Sequence, residues 1–278
     1  MTQSRIFVHG LRAHADDMWS SALLIASKPE VEFTEIIRDA NRISEAGEND
    51  FVLDCGMKFD GIRFFDHHQL EHTEKVDCTL TLIARTFAPW VLTDERFGAL
   101  AERVRIQDNF GLAAAEKKFG KSTGWIEQEY IFVGLFEKEP LKIAGLLVEC
   151  FRKRLQEVKE SEAAFKWIEN NSFIEVLDNG IKVLVFKTSP FKEGFAQTPF
   201  NSACSKYVSE KKVEVSYGWN CDGSDARTLF RTPYARAGID FMKSNPAESV
   251  FCHHSGFLLI FNPYDTCEYR KLVFQAAG

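Results

Sequence analysis

Hydrophobic and polar positions follow two different periods along this chain, and the switches between them divide it into segments. Arg5 to His9 reads as a strand. Asp16 to Lys28 predicts a helix: Asp16 and Asp17 suit the positive end of the dipole, Trp19, Leu23 and Leu24 form an apolar stripe, and Pro29 forbids continuation. Val31 to Arg38 alternates, Phe51 to Asp54 is a short apolar run ending in a carboxylate, and Ile62 to Asp66 reads as a further strand end. Strand-like and helix-like segments therefore alternate over roughly the first 120 residues, which predicts an α/β fold with a mostly parallel sheet flanked by helices.

Helices are expected over Thr79 to Phe87, Asp94 to Asn109 and Gly111 to Phe119. A long amphipathic helix should run from Pro140 to about Asn170, with Ile143, Leu147, Phe151, Leu155 and Val158 at helical spacing. Its charged face, through Arg152, Lys153, Arg154, Glu157 and Lys159, reads as solvated surface rather than a nucleic-acid patch. After Asn171 short strands take over, at Phe173 to Leu177, Ile181 to Lys187, Val213 to Trp219 and Val250 to His254, with Asp178-Asn179-Gly180 as a hairpin turn. The pattern predicts an N-terminal α/β domain over 1–125, a helical connector over 126–171 and a smaller C-terminal α+β domain over 172–278. No repeat or low-complexity segment is visible, and the 25 phenylalanines read as core.

Composition narrows the function. A chain of 278 residues, 45% hydrophobic, can bury a large core. Its net charge of −6 argues against coating long nucleic acid, which requires many Lys and Arg against phosphates, but leaves a short or small phosphorylated substrate open. Seven cysteines without a Cys-x-x-Cys pair read as reduced, buried thiols in a cytoplasmic protein. Nothing suggests a signal peptide or membrane span.

The seven histidines fall into three clusters. His9 and His14 stand in His-Gly-Leu-Arg-Ala-His-Ala-Asp-Asp, Asp66-His67-His68 is followed by His72, and His253-His254 lies near the C-terminus. Imidazole mixed with carboxylate suits Mn²⁺, Fe²⁺, Co²⁺ or Zn²⁺, whereas Mg²⁺ alone prefers oxygen. Two ions about 3.5–4 Å apart need roughly six to seven protein ligands, one of them a bridging carboxylate. His9, His14, Asp16, Asp54, His67 and Asp108 supply that number, several at strand ends, where open α/β sheets place their sites. Taken singly, each reads as readily as a cap, a turn or a buried hydrogen-bonding group.

In order along the chain, His-x4-His-x-Asp-Asp at 9–17, Asp-Cys-Gly at 54–56, Phe-Asp-His-His-Gln at 65–69, Asp108-Asn109 and His-Ser-Gly-Phe at 254–257 resemble the motifs of the DHH phosphoesterase superfamily, within it the Myg-type branch of metal-dependent hydrolases and exonucleases. The resemblance implies that His9 and His14 hold one metal, that Asp16, His67 and Asp108 hold a second, and that Asp54 bridges them. It implies manganese as the expected ion, with Mg²⁺, Co²⁺, Fe²⁺ or Zn²⁺ as alternatives. His68 would face the substrate phosphate, with Asp66 orienting His67 and Asp17 in support. His253, His254, Ser255 and Gly256 would touch substrate as the C-terminal domain closes over the site. Asp17 stands where related chains commonly carry Glu, and Leu258-Leu259-Ile260 lacks the glycines expected there.

The expected reaction is hydrolysis of phosphodiesters by a metal-activated bridging hydroxide, from the end of a short RNA or DNA oligonucleotide, with a homodimer as an admissible assembly. A phosphoanhydride hydrolase for pyrophosphate or polyphosphate is the alternative, and a non-catalytic metal-stabilised binding protein a third. A pocket rich in Lys and Arg would favour anhydrides, and an aromatic shelf would favour nucleotides. Candidate cations are Arg12, Arg38, Lys192 and Arg236; candidate shelf residues are Phe251, Phe257, Phe261 and Tyr264.

Overall fold

The computed structural model describes residues 2–10, 12–70, 76–120, 123–222, 224–236, 238–244, 249–262 and 268–277. His72 and Tyr264 lie outside them. The chain divides into two compact units, Met1–Lys153 and Arg154–Gly278.

In the first unit, β1 (Thr2–Val8), β2 (Val31–Arg38), β3 (Phe51–Leu53) and β4 (Phe64–Phe65) form a parallel sheet in the order β2-β1-β3-β4. Successive residues of β1 point to opposite faces, so Ile6 and Val8 enter one core and Phe7 the other. The larger core is closed by α1 (Ala15–Ser27), α2 (Thr79–Phe87), the short α3 (Trp90–Thr93) and α4 (Glu95–Phe110). The smaller face, with Phe7, Ile37 and Val52, is covered by Ile43 of a 3₁₀ segment over Ala40–Glu45. After α4 come α5 (Leu112–Phe119), α6 (Thr123–Phe136) and the long α7 (Pro140–Asn171). Asp94 caps α4 by accepting the N–H groups of Arg96 and Phe97.

The second unit is a six-stranded mixed sheet of β5 (Ser172–Val176), β6 (Lys182–Phe186), β7 (Val215–Trp219), β8 (Arg227–Arg231), β9 (Ser249–Cys252) and β10 (Leu258–Phe261), in the order β5-β6-β7-β8-β10-β9. Only β6 and β7 pair in parallel among the described strands of this sheet, and α8 (Gln197–Lys211) is the crossover between them. Leu184 and Phe186 face α8 and the end of α7, while Val183 and Val185 face the C-terminal α9 (Glu268–Ala276).

The early strands, the turn at 178–180 and the expected helices all appear. The hydrophobic pattern delimits no separate helix over α6, most of which falls in the stretch read as a helical connector, because its apolar residues show no amphipathic period. Helix α8 is an addition to the expected elements: Pro199 falls in its first turn, where proline is tolerated, and the stripe around it is weak. Leu258-Leu259-Ile260 belongs to β10, an interior strand, which explains the apolar run in place of glycines. The division between units falls inside α7 rather than at its end: Ile143, Leu147 and Phe151 join the first core, whereas Ala164 and Ile168 join a core of the second unit.

Candidate metal centre

Every candidate ligand of the first unit sits beside the C-terminal edge of the parallel sheet. His9 follows β1, Asp54 follows β3, and Asp66-His67-His68 follows β4. Asp54 adopts φ +53°, in the left-handed region that Asp and Asn tolerate better than most side chains. His14 precedes α1, Asp16 and Asp17 occupy its first turn, and Asp108 lies in the last turn of α4.

The geometry brings these residues together. His67 Nε2 is 3.1 Å from Asp54 Oδ1 and 3.0 Å from Asp108 Oδ2. His9 Nε2 is 3.6 Å from Asp54 Oδ2 and 3.5 Å from Asp17 Oδ2, and His14 Nδ1 is 3.8 Å from Asp108 Oδ1. Three overlapping groups emerge among the described residues, Asp16-Asp54-His67-Asp108, His9-His14-Asp17-Asp54 and Asp54-His67-His68, each with one ligand atom per residue inside 4.8 Å. Asp54 belongs to all three. Asp17 joins the histidine group, nearer than sequence reasoning placed it, while its Oδ2 also accepts the N–H of His14 at 2.9 Å.

Asp16 is held by the first N–H groups of α2: Thr79 N donates to Oδ2 and Leu80 N to Oδ1, both at 2.8 Å. The helix end therefore fixes this carboxylate and leaves further lone pairs for a cation. Asp66 does not orient His67, as the resemblance implied. It receives the N–H of His68 at 3.0 Å and that of Met57 at 2.6 Å, and its Oδ1 lies 2.6 Å from His68 Nδ1. The side chain it positions is thus the half-exposed His68.

Electrostatics point the same way. Burial, then the Asp108 and Asp54 carboxylates, push the Asp16 carboxyl up to about 8. Burial, then Asp54, raise Asp17 well above the ordinary carboxylate range. Burial pulls His67 down, but hydrogen bonds with Asp108 and Asp54 outweigh it and push the imidazole up to about 10. His68 is raised chiefly by its hydrogen bond to Asp66. A metal-free cluster of four carboxylates thus retains protons where divalent cations would balance the charge.

The orphaned atoms fit cations as well. Both ring nitrogens of His9, Oδ1 of Asp17 and Nδ1 of His67 are buried without a hydrogen-bond partner. The donor set, nitrogen and oxygen without thiolate, suits borderline and hard ions. Burial pushes the nearby Cys55 and Cys78 thiols up, so both behave as small apolar groups.

In the second unit, His253 to Gly256 form the turn between β9 and β10, closed by Gly256 N donating to His253 O at 2.7 Å. His253 Nδ1 lies 2.8 Å from Ser255 Oγ, and its ring packs on His254 and Phe257. Gly256 has φ +64°, and a Cβ there would collide with Asp240 Oδ1. Gly256→Ala should therefore destabilise the protein by about 1–3 kcal/mol, read from the denaturant midpoint; an unchanged midpoint would show that Asp240 can move aside.

The other candidates divide. Arg236 grips Glu214 and the carbonyls of Asn179 and Gly180, and Lys192 pairs with Asp225 at 2.7 Å. Phe261 is buried core at 2% exposure, while Phe251 is exposed. Arg12 lines a cavity of about 340 Å³ that opens beside His14, Asp16 and Asp108 and is walled by α4 and α6.

A family model described as MYG1_exonuc, Uncharacterised protein family (UPF0160), matches residues 5–84. Among solved structures the chain is similar to a pGpG-specific phosphodiesterase, PggH, from Vibrio cholerae, at 12% identity and TM-score 0.34 over 99% of each chain. It is also similar to the DHH domain of a member of the S1p family of ribosomal proteins, at 16% identity and TM-score 0.35 over 99% of this chain and 85% of that one. A third is RecJ in complex with Mn²⁺ from Thermus thermophilus, at 14% identity and TM-score 0.31 over 99% of this chain and 52% of that one. No curated protein matches. The three N-terminal motifs at 9–17, 54–56 and 65–69 lie inside the segment, residues 5–84, that the MYG1_exonuc model matches.

Proposed function

We propose that this protein is a metal-dependent phosphoesterase that hydrolyses phosphodiester bonds at the end of a short RNA or DNA oligonucleotide. The observation that carries the reading is the pair of His/Asp groups sharing Asp54. His9, His14 and Asp17 would hold one divalent ion, Asp16, His67 and Asp108 a second, and Asp54 would serve both. Such ions, with manganese the expected one, lower the pKa of a water towards neutrality and neutralise phosphoryl oxygens.

The chain's own residues do the rest. Asp16, fixed by the start of α2, and His67, fixed by Asp54 and Asp108, hold their donor atoms in place before any ligand arrives. His68 stands half-exposed beside this buried cluster, its Nδ1 tied to Asp66 and its pKa raised. It would meet a phosphoryl oxygen as an imidazolium or protonate a leaving oxygen.

The cavity beside the cluster favours this reading over a phosphoanhydride hydrolase. Arg12 is its one Lys or Arg among the described residues. A chain of phosphates would call for several.

The test is product analysis of a short 5′-labelled RNA incubated with manganese-loaded protein, with Asp54→Ala as the blank. A ladder shortening from one end, absent in the blank, is the expected result; an untouched oligonucleotide with hydrolysed pyrophosphate would reverse the preference. Metal analysis should find two ions per chain, and one tightly held zinc would favour a binding protein instead. His68→Ala should lower turnover about 10²–10³-fold with metal content intact. Metal lost together with turnover would make His68 a ligand.

A further inference from the structure

We propose that the cavity between α4 and α6 is a nucleobase subsite, which receives the terminal base of the substrate while the phosphate lies at the metal centre. This rests on the function proposed above and names the part of the substrate that the first unit recognises. The cavity measures about 340 Å³, within the roughly 300–1000 Å³ usual for small-ligand pockets. Its lining includes His14, Asp16 and Asp108, so a group bound there adjoins the cluster itself.

The walls are chemically mixed in the way a flat, neutral heterocycle requires. Val104, Leu112 and Val133 give apolar surface, and Tyr130, about half exposed, presents an aromatic ring. Base–aromatic stacking tolerates any base, because every base has a π-face. Polar edges are available too. Gln107 accepts from Arg103 through Oε1 at 3.0 Å, which orients its amide NH₂ as a donor, and Glu137 accepts the N–H of Ala13 at 2.9 Å with carboxylate lone pairs to spare. Glu129 is balanced by the buried guanidinium of Arg103 and by Trp19 Nε1 at 3.1 Å, so it braces α6 against α4 and α1. With Arg12 its one Lys or Arg among the described residues, the pocket suits an uncharged base better than a second phosphate.

Gly134 makes the room. It lies in α6 on the cavity lining, and a Cβ built there meets nothing within 4 Å. Nothing in the packing of α6 asks for a glycine at this position, where a helix would favour a larger residue. Gly134→Leu therefore adds bulk to the cavity lining at a position where a Cβ is accepted without a clash.

The experiment is calorimetric binding of AMP and of ribose 5-phosphate, the same ligand without its base, to manganese-loaded wild type and Gly134→Leu. Wild type should bind AMP at least about tenfold more tightly than ribose 5-phosphate. Gly134→Leu should bring the two together by weakening AMP alone, with metal content unchanged, and Tyr130→Ala should remove part of the difference. Equal affinities in wild type, or a preference for AMP that survives Gly134→Leu, would overturn the subsite while leaving a phosphoesterase intact. Failure of both ligands to bind, with no hydrolysis of the labelled RNA, would overturn the subsite and the proposed function together.

Discussion

Asp54→Asn should abolish both the metal-induced stabilisation of this protein and its turnover. Asp54 is almost fully buried and belongs to every candidate ligand group. Asparagine tolerates φ +53° and still offers an oxygen to His67 and to the Thr79 hydroxyl, so the fold is kept. In the metal-stripped protein two effects oppose each other, relief of repulsion on Asp16 and Asp17 and loss of the charge that holds His67 raised, so its melting temperature should change little. Activity should meanwhile fall by about 10³-fold or more, since the carboxylate common to the groups has gone. A variant less stable than wild type in chelator, yet still stabilised by manganese, would show that Asp54 is a structural acid.

The second large effect is on pH. In the metal-free protein Asp16 titrates near 8, far above an unfolded carboxylate, so the unfolded chain releases this proton first as pH rises and stability falls between about 4 and 8. Asp17 acts in the same direction. His67, raised to about 10, contributes stability that is complete below the unfolded histidine range near 6.5 and lost as pH climbs towards 10. All three groups make the stripped protein weaken as pH rises. Manganese must displace those same protons, so its affinity and its stabilising effect should grow over that range. The difference in melting temperature between manganese-loaded and chelated protein should widen from pH 6 to 8. A constant difference would mean that the ions bind elsewhere.

Much of this is legible without coordinates. The β1, β3 and β4 runs are short and apolar and end in His or Asp, which is enough to place His9, Asp54 and His67 at one sheet edge. What escapes is information held in tertiary contacts. Asp66 and His67 are neighbours in sequence, yet the turn after β4 directs Asp66 to His68. Asp17 reads as a first-turn acid, and only burial against His9 brings it into the cluster. The cavity is invisible in the sequence because one wall is α6, whose polarity pattern is that of a buried segment and gives no period.

Helix α7 contributes side chains to cores on both sides of the division at Lys153, so no surface loop separates the two units at that point. Cutting the gene at the end of the helix would give an N-terminal fragment bearing the bare side chains of Ala164 and Ile168, and a C-terminal fragment with a hole where they belong. Cutting at the division would split one helix into two halves, each deprived of a neighbour to propagate from. A cut along α7 thus costs one core or the other some of its packing, so the seam between the units is written into a helix and not into a linker.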